Sequence, residues 1–264
     1  MELELRNKTA LVTGSSRGIG KAIAVELAKE GVHVLINGRN DAEVALTVNE
    51  IQTKFPETKP RKATADFVDV EQRDALLEKF PHVDILVNSM GVYELMSYDD
   101  LDDAVWEKYI RTNVLAANRL TQFYLPAMIK QNFGRILFIA SEEAVMPSGQ
   151  MPHYAVTKSM LLSLARSLSK LTKGMEVTVN TILPGPTLSE NVRAIIEGFY
   201  PDKKMTFEEK EKDFVSKNLP QSEIARFIRP MEIGRLAAFV CSPYASAFKG
   251  SPIRMDGGMV PTIF

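Results

Sequence analysis

Short apolar runs punctuate the chain at 9–13 (TALVT), 32–37 (VHVLIN), 61–65, 83–88 (VDILVN), 135–140 (RILFIA), 177–183 (VTVNTIL) and 252–255. They are rich in β-branched residues and nearly continuous, as in strands buried on both faces of a parallel sheet. Between them the apolar positions fall at helical spacing, first over 21–29. Strand and helix alternate along the whole length, which predicts a single α/β domain over residues 1–264. The expected architecture is a doubly wound parallel sheet of about seven strands with helices on both faces.

One stretch breaks the alternation. Residues 187–229 form a long insertion with no strand pattern. In its middle, Thr206 stands at an N-cap position, Glu208 and Glu209 follow in the first turn, and Phe207 and Phe214 lie seven apart. That predicts an amphipathic helix over 206–217. Long insertions in compact domains are functional or disordered, and this one is too apolar for a linker. A helical lid over a substrate site is expected.

Composition mainly excludes. Hydrophobic residues make up 45%, enough for one large core, and 32 basic against 33 acidic residues leave a net charge of −1. Such a balance gives no electrostatic footprint for nucleic acid or an anionic membrane. The N-terminus, MELELRNKTALVTG, is charged and runs into the first strand. No segment nears the ~18 apolar residues of a membrane span, so a cytoplasmic protein is expected. The single cysteine, Cys241, cannot form an intrachain disulfide and reads as a small buried hydrophobe. His33, His82 and His153 are too scattered for a metal set, so no metal is expected.

Chemistry enters after the first strand, with Thr13-Gly14-Ser15-Ser16-Arg17-Gly18-Ile19-Gly20 opening a helix. A strand, a turn with Gly14, Gly18 and Gly20, and a helix N-terminus let backbone N–H groups approach a pyrophosphate. The unit is Rossmann-type. An NAD site places Asp or Glu at the end of the second strand, whereas this chain has Asn37-Gly38-Arg39-Asn40. Arg39 and Arg17 offer guanidiniums to a 2′-phosphate, so NADP(H) is expected over NAD(H).

Further on, Tyr154-Ala-Val-Thr-Lys158 opens a helix reaching about residue 171, with phenol and ammonium one turn apart. The lysine favours the phenolate and draws a poor base toward working pH. Ser141 stands at the end of the 135–140 run, where open parallel sheets bind ligands.

With the glycine loop, these motifs make the chain similar to the short-chain dehydrogenase/reductase family. The likeness is to its NADP(H)-preferring branch, which includes 3-oxoacyl-carrier-protein reductases, and it runs from Lys8 to Gly258. The resemblance implies that Tyr154 exchanges a proton with the substrate oxygen and that Ser141 stabilises charge there. It also implies that Lys158 lowers the tyrosine pKa and holds the nicotinamide ribose, and that Asn113, in the helical stretch 106–113, serves the proton relay. In the same way Gly14, Ser16, Arg17 and Ile19 match the dinucleotide loop and Arg39 the 2′-phosphate position. Asp66 matches the adenine contact, Asn88 and Gly91 the turn after the fourth strand, and Pro184, Gly185, Thr187 and Ser189 the nicotinamide segment. Asp256-Gly257-Gly258 matches a structural turn, and a homotetramer is implied. The family's Asn-Asn-Ala-Gly is replaced by Asn88-Ser89-Met90-Gly91. Met90 is therefore expected to narrow the cofactor site or line the substrate pocket.

Around this set, Glu142 and Glu143 read as a polar rim or as substrate-facing groups. Tyr93, Met96, Met146 and Met151 are expected to border an apolar cleft, and His153 to be a solvated or capping residue. The expected activity is hydride transfer between NADP(H) and a small-molecule ketone or secondary alcohol of some apolar character. The alternatives are a dinucleotide-binding sensor or assembly protein without turnover, and enoyl reduction or epimerisation on the same cofactor. The intact Ser–Tyr–Lys–Asn set favours the enzyme.

Overall fold

In the computed structural model, residues 2–201 and 204–263 are described, so positions 202 and 203 of the predicted insertion lie outside it. Seven parallel strands form one sheet in the order β3-β2-β1-β4-β5-β6-β7 among the described residues. They are β1 (Thr9–Val12), β2 (His33–Ile36), β3 (Arg61–Lys62), β4 (Ile85–Asn88), β5 (Gly134–Ile139), β6 (Val177–Pro184) and β7 (Pro252–Met255). The helices are α1 (Gly18–Lys29), α2 (Asp41–Lys54), α3 (Val70–Lys79), α4 (Asp103–Ile110), α5 (Ala116–Gln131), α6 (Pro152–Lys170), α7 (Glu190–Phe199), α8 (Phe207–Asn218) and α9 (Pro230–Val240). The order reverses between β1 and β4, where such sheets open a crevice at their carboxyl ends.

The period of two in each strand sorts its side chains to opposite faces. Ala10, Val12, Val34, Ile36, Val87 and Ile139 pack with Ile23 and Leu27 of α1 and Ile233 and Ala237 of α9. Leu11, Leu35, Leu86 and Phe138 turn the other way, onto Leu76 of α3, Leu120 and Tyr124 of α5 and Leu161 of α6. Burying both faces is what makes the runs apolar throughout.

Boundaries shift where side chains compete with the ladder. The predicted third strand, 61–65, is only two residues long, because buried Asn37 donates from Nδ2 to the carbonyls of Ala63 and Ala65. The helix expected through Asn113 changes at Arg111–Leu115 into a π-helical turn, a feature found often at functional sites.

The insertion is largely helical. Ile196, Val215 and Phe227 form a small core of their own, against which Val192, Phe214 and Leu219 pack. As expected, Thr206 caps α8 in a reciprocal pair with Glu209. The ends meet where Leu188 N donates to Ile228 O and Ile228 N to Pro186 O, both at 2.9 Å. No helix among the described residues is long and apolar enough to cross a membrane.

Candidate active site

A single cleft of about 640 Å³ runs from the glycine loop to the ends of β5 and β6. Gly14, Arg17, Gly18, Ile19, Gly20, Gly91, Ser141, Tyr154, Lys158, Pro184, Gly185, Thr187 and Ser189 all line it. The sequence thus brings residues 175 positions apart into one cavity, 14 to 189. Ser16, Arg39, Asp66, Asn88 and Asn113 stand outside its lining.

The loop end is shaped for an anion. Gly14 has φ of +63°, open to glycine at no steric cost. A Cβ on Gly20 would collide with the Gly14 carbonyl, so α1 could not begin so close to the strand. Arg17 is extended and exposed just before α1, and its side chain has no ion-pair or hydrogen-bond partner among the described residues. Arg39 is 74% exposed and lies 3.9 Å from Asp66, a weak contact open to exchange. Although the strand end itself has no acid, one stands nearby. Glu43 in the first turn of α2 accepts from Ser16 Oγ at 3.4 Å.

Two residues not singled out from sequence hold the loop in place. Asn37 Oδ1 accepts from Gly14 N at 3.0 Å, and Thr13 Oγ1 accepts from both Ser89 N and Met90 N at 2.9 Å. A polar residue ending each of two buried apolar runs was the available signal. The Thr13 bonds also settle the Ser89-Met90 departure, because the turn is held through backbone N–H groups. Met90 does not line the cleft, contrary to the pocket-lining expectation; it packs against the core on the α5–α6 face, with its backbone and Cβ against Gly14. Met96 also lies outside the lining, while Tyr93, Met146 and Met151 are in it.

At the other end, Lys158 is buried and donates from Nζ to Ile139 O at 2.9 Å, with Nζ 5.4 Å from the Tyr154 ring centre. Burial brings its ammonium down to about 8. Contrary to the lowering expected from Lys158, burial pushes the Tyr154 phenol above its ordinary value, against a lowering by Ser141. Asn113 acts as a clamp: Oδ1 accepts from Val92 N at 2.9 Å, and Nδ2 donates to Val92 O and Thr157 Oγ1. Thr157 in turn donates to Tyr154 O at 2.7 Å. The amide therefore fixes both the loop bearing Tyr93 and the first turn of α6. Asn88 is buried, with Nδ2 donating to Thr121 Oγ1 and Oδ1 unpaired among the described residues.

His153 is fully buried and caps no helix end, contrary to the solvated or capping role expected. Its ring stands edge-on to Tyr109 at 4.1 Å, both nitrogens lack partners among the described residues, and burial lowers its pKa. It sits at the second position of α6, where helix packing covers it. Cys241 is buried as expected, its thiol pushed up to about 12.

Ser141 Oγ donates to Glu142 Oε2 at 2.5 Å, and burial pushes the Glu142 carboxyl up to about 7. The folded state thus holds this proton more tightly than the unfolded chain does. That contribution to stability is full below pH ~4.5 and is lost as pH rises through ~7. Glu142→Gln is expected to gain on the wild type as pH rises from 5 to 8.5, by about 2 kcal/mol or several degrees of melting temperature. Thermal melts of both proteins across that range test it, and a constant gap would refute it.

The sequence profile of the family described as short chain dehydrogenase matches residues 8–198. The uncharacterized oxidoreductase YvaG of Bacillus subtilis is 46% identical over the full length of both chains. The 3-oxoacyl-[acyl-carrier-protein] reductase FabG of Aquifex aeolicus is 31% identical, over 98% of this chain and 100% of that protein. Among solved structures, L-sorbose reductase of Gluconobacter frateurii, complexed with NADPH and L-sorbose, superposes with a TM-score of 0.91 at 30% identity, covering 100% of both chains. The chain belongs to the short-chain dehydrogenase/reductase family of oxidoreductases, which bind a nicotinamide dinucleotide and act on CH–OH and C=O groups.

Proposed function

We propose that the protein reduces a ketone to a secondary alcohol with NADPH. The observation that carries this reading is the single cleft joining the glycine loop to Ser141, Tyr154 and Lys158. The loop fits a dinucleotide, since the space over Gly18 is open and the first N–H groups of α1 face an uncapped end. Gly14, Ile19, Gly91, Thr187 and Ser189 would hold the dinucleotide, and Arg17 and Arg39 its 2′-phosphate. When bound, the reduced nicotinamide supplies a hydride.

This chain's own residues supply the rest. Tyr154, kept protonated by burial, can give a proton to the substrate oxygen as the hydride arrives. Lys158 supports the charge left on the phenol, and Ser141 stabilises charge on the substrate oxygen. The insertion over 187–229 closes one side of the cleft through Val192, Leu219 and Phe227, and we read it as a substrate lid. The NADPH-bound sorbose reductase supports the cofactor choice.

The test follows the oxidation of NADPH and NADH with a panel of neutral ketones and acyl thioesters. Turnover with NADPH is expected; tight NADPH binding without turnover on any of them would favour a sensor instead. Arg39→Asp should lower the NADPH-over-NADH preference by about ten- to a hundredfold through KM, since a charged hydrogen bond is lost and a repulsion added. An unchanged preference would remove Arg39 from the phosphate site.

A further inference from the structure

Ser141 has one proton to give, and with Glu142 ionised it goes to that carboxylate. A hydroxyl is a single donor, so a serine bonded this way has none left for a carbonyl oxygen. Its lone pairs meet Glu143 N at 3.3 Å. The pair must therefore rearrange before Ser141 can hold a substrate oxygen.

Glu142 starts the short turn that follows β5, so both side chains leave the same strand end and both line the cleft. Among the described residues its carboxylate has no cationic partner, although burial penalises its charge. A desolvated acceptor that fronts a substrate cavity calls for a donor from the substrate.

We propose, resting on the ketone-reductase reading, that Glu142 binds a hydroxyl on the carbon next to the substrate carbonyl, so that the cleft selects neutral α-hydroxyketones. The two oxygens of such a group lie about as far apart as hydrogen-bonded oxygens, ~2.7 Å. Ser141 Oγ and Glu142 Oε2 are 2.5 Å apart, so one substrate oxygen can sit on each. The substrate hydroxyl then donates to Glu142 in place of Ser141, and Ser141 turns its proton to the carbonyl oxygen. A plain ketone meets a serine still engaged, and a substrate with a carboxylate at that carbon meets like charge. Selection thus appears in kcat as well as KM, because the freed serine acts on the transition state.

Hydroxyacetone, methoxyacetone and butanone separate the possibilities. Methoxyacetone keeps the electron-withdrawing oxygen without the donor, and butanone replaces the hydroxyl by a methyl. With NADPH, the wild type should favour hydroxyacetone over methoxyacetone by roughly ten- to a hundredfold in kcat/KM. Glu142→Ala should bring that ratio within about threefold and raise turnover of butanone, because Ser141 is released; Glu142→Gln, which still accepts, should keep part of the preference. A merely structural role would lower all three substrates together. Equal wild-type rates, or a ratio unchanged in Glu142→Ala, overturn the proposal. A second readout needs no turnover: binding of propylene glycol to the protein–NADPH complex, followed by nicotinamide fluorescence, should weaken about tenfold in Glu142→Ala, while its methyl ether is little affected. If no ketone is reduced, the reductase reading fails, and the glycol measurement alone decides for or against the hydroxyl site.

Discussion

Tyr154→Phe is expected to lower kcat with NADPH by about 10²–10⁴-fold, the range attached to one positioned proton donor. The substitution deletes an oxygen and leaves the ring. That ring packs near Tyr93, at 6.1 Å between centroids, and near Lys158, and the helix beneath is held by Thr157 and Asn113. Fold and NADPH affinity should therefore survive, within a few degrees of melting temperature and a few-fold in Kd. Initial rates with a reducible ketone, beside NADPH binding and a thermal melt, check all three. Loss of rate without loss of binding assigns Tyr154 the proton. A variant keeping more than about a tenth of the rate would instead point to a proton arriving through Ser141, with Glu142 behind it as the acid.

The strand runs were legible because burial on both faces leaves little room for polar residues, and β1, β2, β4, β5 and β6 stand where the runs stand. The weakest run, 61–65, was the one least well bounded, and for a physical reason. Asn37 takes up two of its carbonyls with a side chain, an arrangement that leaves no periodic trace. The site was legible where its chemistry is local: a glycine turn before a helix, or a tyrosine and lysine one turn apart. It was hidden where it depends on what is above and below a residue in space. Met90, read as narrowing the cofactor site or lining the substrate pocket, packs against the core beside Gly14, at a turn held by Thr13. His153 neighbours a cleft residue in sequence, yet α4 covers it with Tyr109 and Trp106. Nothing in the sequence distinguished Glu142 from Glu143. Only the fold directs Glu142 to the Ser141 hydroxyl, while Glu143 turns to Ser148 N.

The second large effect is expected at the root of the 187–229 insertion. Glu211 of α8 is 3% exposed and is gripped by Arg229, which donates to Oε1 at 2.6 Å and to Oε2 at 2.7 Å, while Phe227 N donates to Oε1 at 3.0 Å. Burial would raise this carboxyl, but those three bonds outweigh it and hold it below the ordinary carboxylate range. Arg229→Ala removes the cation and leaves a buried charge with one donor. Orphaning a buried ion costs about 3–5 kcal/mol; with Arg229 itself partly exposed, about 2–4 kcal/mol is expected, or roughly 5–10 °C of melting temperature. The small core of Ile196, Val215 and Phe227 meets this pair through Phe227 N, so the insertion should loosen before the rest. Limited proteolysis should then cut within 190–228 first, and substrate KM should rise more than kcat falls, because Leu219 and Phe227 line the cleft. Adding Glu211→Gln should recover at least half of the lost stability, since the amide keeps an acceptor for Phe227 N without the buried charge. That recovery separates an electrostatic latch from simple packing: if Arg229→Ala melts like the wild type, or if Glu211→Gln deepens the loss, the pair does not hold the insertion.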